Sequence, residues 1–148
     1  MAGLTCTCTS IRTLCRGSST TSASRGAAFV LFVDDGAQAR ALQRQNVEAL
    51  GLGGTTRIFR RDATKLGPVH PLEPFSLAFL DPPYGKGLAE AALTAARDGG
   101  WLVPQALAVV EEAADAAFIA PAGYEELERR AYGDTELVFL RSAGRPAR

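Results

Sequence analysis

Apolar and polar positions follow two different periods from Gly26 onward. Short apolar runs bounded by turn residues predict strands at residues 27–33, 56–60, 75–80 and 106–111. Apolar stripes at helical spacing, each followed by glycine, predict helices at residues 37–50 and 88–97. Two further alternating segments, residues 125–131 and 136–141, flank a turn and predict a hairpin. This order of elements predicts an α/β three-layer sandwich whose sheet is mostly parallel and ends in an antiparallel hairpin.

Residues 1–25 differ in composition from the rest of the chain. They are rich in serine, threonine and cysteine, contain no acidic residue and show no sustained helical or strand period. Such a segment buries too little apolar surface to fold by itself, so we expect it to be disordered. The remainder is expected to form one domain over residues 26–141, followed by a flexible tail over residues 142–148.

The composition is that of a globular domain. The chain has 148 residues, of which 47% are hydrophobic, enough for one core and short for two. The 16 basic and 16 acidic residues balance, which argues against a strongly basic nucleic-acid-binding domain but allows a local basic patch. No stretch approaches the roughly 18–20 apolar residues that span a membrane. The N-terminus lacks the layout of a signal peptide, so a cytoplasmic location is predicted.

The cysteines and the histidine do not form a metal-binding pattern. Cys6, Cys8 and Cys15 lie within the first fifteen residues, and His70, the one histidine, lies far away in a proline-flanked loop. A structural metal site needs a fourth ligand, so no metal is predicted.

The tetrapeptide Asp81-Pro82-Pro83-Tyr84 follows the predicted strand 75–80 directly. Pro82 cannot donate a ladder hydrogen bond, so the strand ends there in a stiff loop. The loop offers a carboxylate and a backbone carbonyl that accept N–H bonds, and an aromatic ring that can stack. These groups together suit a planar amine, as in an amino-methyltransferase site. The alternative is an ordinary turn, since aspartate and proline are common turn residues.

Acidic residues follow three of the predicted strands. Asp34, Asp62 and Asp81 each come just after an apolar run. Because open α/β sheets place ligands at the carboxyl ends of their strands, we expect these acids to converge on one cleft, with Tyr84 at its mouth.

A set of basic residues lies beside the second strand and after the tetrapeptide. The set consists of Arg57, Arg60, Arg61, Lys65 and Lys86. These side chains could hold RNA phosphates, or they could form an ordinary solvated face.

Several segments resemble one known family, the RsmD-type ribosomal RNA methyltransferases. The segments are residues 24–27, 46–52, 62–63, 79–88, 100–102 and 132–135. These proteins are Rossmann-like class I methyltransferases that use S-adenosylmethionine to methylate a guanine N2 in bacterial small-subunit rRNA. The resemblance therefore implies a class I fold, 16S rRNA or the small ribosomal subunit as partner, and a monomer.

The resemblance also implies roles for individual residues. Asp34 corresponds to the acid that accepts hydrogen bonds from the cofactor's ribose hydroxyls. Asp62 and the backbone of Ala63 correspond to the adenine contacts. The loop from Asp81 to Tyr84 corresponds to the catalytic loop, in which Asp81 and the Pro82 carbonyl orient the target amine.

One part of the family pattern is missing. A strand and a loop of the form D-x-F-A-G-x-G precede the position of Ser24 in this family, whereas residues 16–23 contain one glycine and no acid. We therefore expect the first strand and the glycine loop to be absent, and S-adenosylmethionine to bind poorly or not at all. The alternatives are an inactive truncated remnant of the family and a DNA amino-methyltransferase.

Overall fold

The computed structural model describes residues 11–16, 29–83 and 85–145. Its strands are β1 (Ile11–Arg16), β2 (Phe29–Asp34), β3 (Thr56–Arg60), β4 (Phe75–Leu80), β5 (Leu102–Ala113), β6 (Tyr124–Tyr132) and β7 (Thr135–Ser142). Its helices are α1 (Ala37–Ala49), a 3-10 turn (Ala63–Lys65) and α2 (Leu88–Asp98).

The described strands form one sheet in the order β3-β2-β1-β4-β5-β7-β6. The pairs β2–β3 and β4–β5 are parallel, and β7 is antiparallel to both β5 and β6. The order β3-β2-β1-β4-β5 is that of the doubly wound Rossmann sheet, and its order reverses between β1 and β4. The predicted Rossmann-like α/β fold with a C-terminal antiparallel hairpin is therefore confirmed. The described sheet is mixed rather than mostly parallel, because β1 is antiparallel to both of its neighbours and β7 to both of its own.

The centre of the sheet differs from the prediction. The first strand was expected to be absent, but β1 occupies the place between β2 and β4 and is antiparallel to both. Residues 11–16 were also expected to be disordered, and they lack a clear alternation of apolar and polar residues. They form a strand because each of their two edges finds a neighbour whose backbone groups would otherwise be unpaired. The rest of the segment predicted to be disordered, residues 1–10 and 17–25, lies outside the described residues.

The main core lies on the face of the sheet that α2 covers. The residues of α2 spaced three and four apart are buried there, namely Ala89, Ala92, Leu93 and Ala96. Phe75 stacks between Phe29 and Trp101, with ring centroids 6.1 and 6.3 Å away. The indole Nε1 of Trp101 donates a hydrogen bond to the Gly67 carbonyl at 2.7 Å. These contacts anchor the segment that runs from β3 to β4.

The other face of the sheet carries a smaller cluster. Val30 and Leu77 are buried there, because their side chains alternate with those that point toward α2. The helix α1 packs through Ala39, whereas Leu42 and Leu50 are exposed.

The last strand extends one residue into the segment predicted to be a tail. A flexible tail was expected from residue 142, but Ser142 is the last residue of β7 and is buried. The Ala143 amide donates to the Gly123 carbonyl at 2.9 Å, and the Gly144 amide donates to Oγ of Ser142 at 3.0 Å. These bonds hold residues 143 and 144 beside the end of β7 and the residue before β6. Within the described part of the chain, no helix is long and apolar enough to cross a membrane.

Candidate active site

The strongest candidate site lies where the strand order reverses, at the carboxyl ends of β2 and β4. Ile11, the first residue of β1, pairs with Val33 on one side and with Leu80 on the other. Asp34 and Asp81 follow those two partners directly, so they flank β1 at the same edge of the sheet. Two interstrand spacings separate them, or about 10 Å. Ligands of open α/β sheets bind in the crevice at such a reversal.

Asp34 ends β2 and is buried, with 2% of its surface exposed. Its Oδ1 accepts a hydrogen bond from the Gly36 amide at 2.8 Å, which fixes the turn into α1. Nη1 of Arg40 donates to the backbone carbonyls of Asp35 at 3.0 Å and of Asp34 at 3.5 Å. The carboxylate is thus held in one orientation by its own turn.

Asp62 lies close to Asp34 along the edge of the sheet. Arg60, the last residue of β3, pairs with Asp34, and Asp62 follows two residues later. Its Oδ1 accepts hydrogen bonds from Oγ1 of Thr64 at 2.7 Å and from the Thr64 amide at 2.9 Å. These two bonds lower the pKa of Asp62, so the group is an ionised acceptor at neutral pH. Ala63 follows and is buried.

The loop that begins at Asp81 is fixed at both ends. Asp81 is partly buried and Pro82 is buried, directly after β4. Tyr84, predicted to lie at the mouth of the cleft, falls outside the described residues. The Gly85 amide donates to Oε1 of Glu112 at 2.9 Å.

Sequence reasoning did not single out Glu112, whose side chain contacts this loop. Its carboxyl group is buried near the end of β5. The signal was available in the sequence, because Glu112 continues the inward alternation of Ala106, Ala108 and Val110 with a charged residue.

The predicted basic residues do not form one patch. Arg60 is exposed at the carboxyl end of β3, close to Asp34 and Asp62, and Lys65 is exposed just beyond it. Arg57 is also exposed but lies near the opposite end of the strand, about 10 Å away at 3.3 Å per residue.

The other two predicted basic residues have different surroundings. Nη1 of Arg61 donates to the Leu66 carbonyl at 2.7 Å, and its guanidinium lies over the Phe59 ring, so it holds the turn that carries Asp62. Lys86 is exposed in the loop that follows Tyr84. Among the described residues, no group of three or more His, Cys, Asp or Glu side chains could hold a metal ion.

Comparison with known proteins places this chain in a family. Residues 14–141 match the family described as conserved hypothetical protein 95. No curated protein matches the sequence.

Solved structures share the fold. A presumed methylase from Haemophilus influenzae is 25% identical, with a TM-score of 0.71, over 80% of this chain and 75% of that one. A presumed methyltransferase from Escherichia coli is 22% identical, with a TM-score of 0.68, over 80% and 64%. A conserved hypothetical protein from Streptococcus pyogenes is 22% identical, with a TM-score of 0.67, over 80% and 74%.

Proposed function

We propose that this chain, which belongs to the conserved hypothetical protein 95 family, is an S-adenosylmethionine-dependent methyltransferase that acts on a guanine N2 in small-subunit rRNA. Family membership confirms the resemblance to RsmD-type methyltransferases. One structural observation carries the proposal: Asp34 and Asp81 flank β1 at the reversal of strand order, because Ile11 pairs with the residues that precede them both.

The residues at this edge fit the adenosine half of the cofactor. Asp34 presents a fixed carboxylate next to Asp62, and carboxylates accept hydrogen bonds from ribose hydroxyls and from an adenine amine. The fit to the amino acid half is poorer. Because β1 is antiparallel to β2 and β4, Ile11 lies at the edge that carries the acids, and Arg16 pairs with Phe29 at the opposite edge. The carboxyl end of β1 therefore does not lie at the candidate site, where the family pattern has a glycine loop after a parallel first strand.

The loop after β4 provides the groups for the target base. Asp81 and the Pro82 carbonyl would accept the two N–H bonds of the guanine amine and turn its lone pair toward the methyl group. Tyr84 would stack on the base. When bound, S-adenosylmethionine supplies an electrophilic methyl group. Such positioning can contribute several kcal/mol to catalysis, and the base must first leave its stack.

The proposed RNA contacts lie around the same edge. Arg60, Lys65 and Lys86 are exposed there and could bind phosphates, which would hold the RNA without reading its sequence. Arg57 and Arg61 are less suited, because the first lies toward the other end of β3 and the second bonds the Leu66 carbonyl.

Methyl incorporation into RNA tests the substrate. The purified chain is incubated with labelled S-adenosylmethionine and small-subunit rRNA, with transcripts carrying inosine in place of guanosine, and with duplex DNA. Inosine lacks the exocyclic N2 amine, so label should enter the guanosine RNA alone. Label in the inosine transcript would contradict the proposed target atom. Label in DNA would favour a DNA amino-methyltransferase.

Two substitutions separate the proposed roles of the acids. Asp34→Asn keeps an acceptor for the Gly36 amide but loses the charge, and it should weaken cofactor binding about 10- to 100-fold. Asp81→Asn should lower methyl transfer strongly and leave the binding isotherm nearly unchanged. Glu111→Gln serves as the control. Equal losses of cofactor binding in both variants would contradict the assignment.

The second candidate is a family member that does not catalyse methyl transfer. The reversed direction of β1 favours it, because the described residues provide no glycine loop for the amino acid half of the cofactor. Calorimetric titration with S-adenosylmethionine and with methylthioadenosine, which lacks that half, distinguishes the two. Equal and weak affinities would support this second candidate. Micromolar binding of S-adenosylmethionine alone would support the enzyme.

A further inference from the structure

One buried acid, Glu112, has no role in the proposed methyl transfer. Glu112 is 2% exposed. It lies on the inward face of β5, where the preceding inward side chains are apolar. Burial of a carboxyl group is costly unless hydrogen bonds compensate for the lost water. The partners of this side chain should therefore indicate its purpose.

Two backbone amides donate hydrogen bonds to the same carboxylate oxygen of Glu112. Oε1 accepts from the Gly85 amide at 2.9 Å and from the Ala113 amide at 3.0 Å. The second bond is local to β5. The first crosses from β5 to the loop after β4, over a sequence separation of 27 residues. It therefore joins two strand ends at the candidate site.

The loop depends on this bond because it has few donors of its own. Pro82 and Pro83 have no backbone N–H, so neither can anchor the segment that follows Asp81. Gly85 has a φ of 73°, in the left-handed region that glycine adopts without strain. The chain therefore turns at Gly85, the residue whose amide donates to Glu112.

The register of the sheet brings Glu112 level with the loop. Leu80 pairs with Val110 across β4 and β5, so Glu112 and Pro82 both lie two residues beyond that pair. The near end of the loop is held by the ladder between the two strands. The far end is held by the carboxyl group.

We propose that Glu112 is a positioning residue that holds the far end of the loop after β4, which carries Asp81 and Pro82, through the Gly85 amide. This inference rests on the proposed function for its catalytic consequence. With the bond in place, Asp81 and the Pro82 carbonyl keep their orientation toward the incoming amine. Without it, the glycines at 85 and 87 allow the far end of the loop to move.

Amide hydrogen exchange tests the bond without any cofactor or activity. In Glu112→Leu the Gly85 amide loses its acceptor and should exchange about 10- to 100-fold faster. In Glu112→Gln the amide oxygen still accepts, so protection should persist. Glu111→Leu, on the opposite face of β5, is the matched control and should leave Gly85 unchanged. The amide of Val110 reports global opening in every variant.

Methyl transfer tests the consequence. Glu112→Leu should lower kcat at least tenfold, with little change in cofactor affinity. Glu112→Gln, which keeps the acceptor, should have a kcat near that of wild type. Unchanged Gly85 exchange in Glu112→Leu, or equal acceleration at Val110, would overturn the inference. A kcat for Glu112→Leu equal to wild type would also overturn it. If the wild type transfers no methyl group but Glu112→Leu still loses Gly85 protection selectively, the proposed function is contradicted and the role of Glu112 in holding the loop is not.

Discussion

Adding one methyl group at Gly99 should destabilise the fold severely. Gly99 follows α2, and a Cβ atom there would overlap the Gly67 carbonyl oxygen and lie 2.7 Å from Cδ1 and 2.8 Å from Nε1 of Trp101. The backbone φ of Gly99 is −81°, which any residue can adopt. The effect of Gly99→Ala is therefore steric and does not arise from backbone strain.

The magnitude follows from the hydrogen bonds that must shift. The Gly67 carbonyl accepts from Trp101 at 2.7 Å, and the Val69 amide donates to the Gly99 carbonyl at 3.0 Å. Losing buried partners costs about 1–3 kcal/mol each, and overpacking costs about 1–3 kcal/mol more. We expect a loss of about 3–9 kcal/mol, a large part of the roughly 5–15 kcal/mol that stabilises a domain.

Urea unfolding followed by Trp101 fluorescence measures this loss. Gly53→Ala is the matched control, because no atom lies within 4 Å of its Cβ position. Both variants reduce the entropy of the unfolded chain in the same way, so their difference isolates the clash. If the free energies of unfolding of the two variants agree within about 0.5 kcal/mol, which is the usual range for surface changes, the packing described around Trp101 is wrong.

Three further predictions concern single side chains. The hydrogen bonds from Thr64 hold the pKa of Asp62 below the ordinary value of an aspartate. The ionised group therefore stabilises the fold above that ordinary pKa, and this contribution is lost as pH falls through the folded pKa. The stability difference between wild type and Asp62→Asn should therefore shrink on acidification from pH 6 to 3, and a difference that grows would contradict it. Tyr124→Phe removes the hydroxyl that donates to the Leu93 carbonyl at 2.6 Å and should cost about 1 kcal/mol in urea unfolding. Arg60→Gln should reduce the slope of log K for RNA binding against log salt concentration by about 0.7, and Arg57→Gln should leave it unchanged. Equal slopes for the two variants would argue against a phosphate contact of Arg60.

The sequence predicted most elements because their signals are local. The apolar run 75–80 and the proline after it define β4, and the alanine and leucine spacing of 88–97 defines α2. The predicted strand 106–111 was too short, since β5 extends over Leu102–Ala113. Its added residues gain their extended form from pairing with β4 and β7 rather than from their own pattern.

The acids at strand ends were also visible in the sequence. Asp34 and Asp81 follow apolar runs, and Asp62 follows the predicted strand 56–60 after one arginine. The shared direction of β2, β3 and β4 brings the three acids to one edge of the sheet. Their proposed roles remain predictions. Glu112 was missed because a glutamate near the end of a strand is usually solvated, and its bond to Gly85 spans 27 residues.

The sequence by itself determined the α/β class, the hairpin and the position of the stiff loop, because each depends on periodicity and on proline and glycine. The tertiary structure decided that residues 11–16 form the central strand and that this strand runs backward. A segment without alternation has no intrinsic preference for a place or a direction in a sheet. The unpaired backbone groups of β2 and β4 supplied that preference, since buried N–H and C=O groups must find partners.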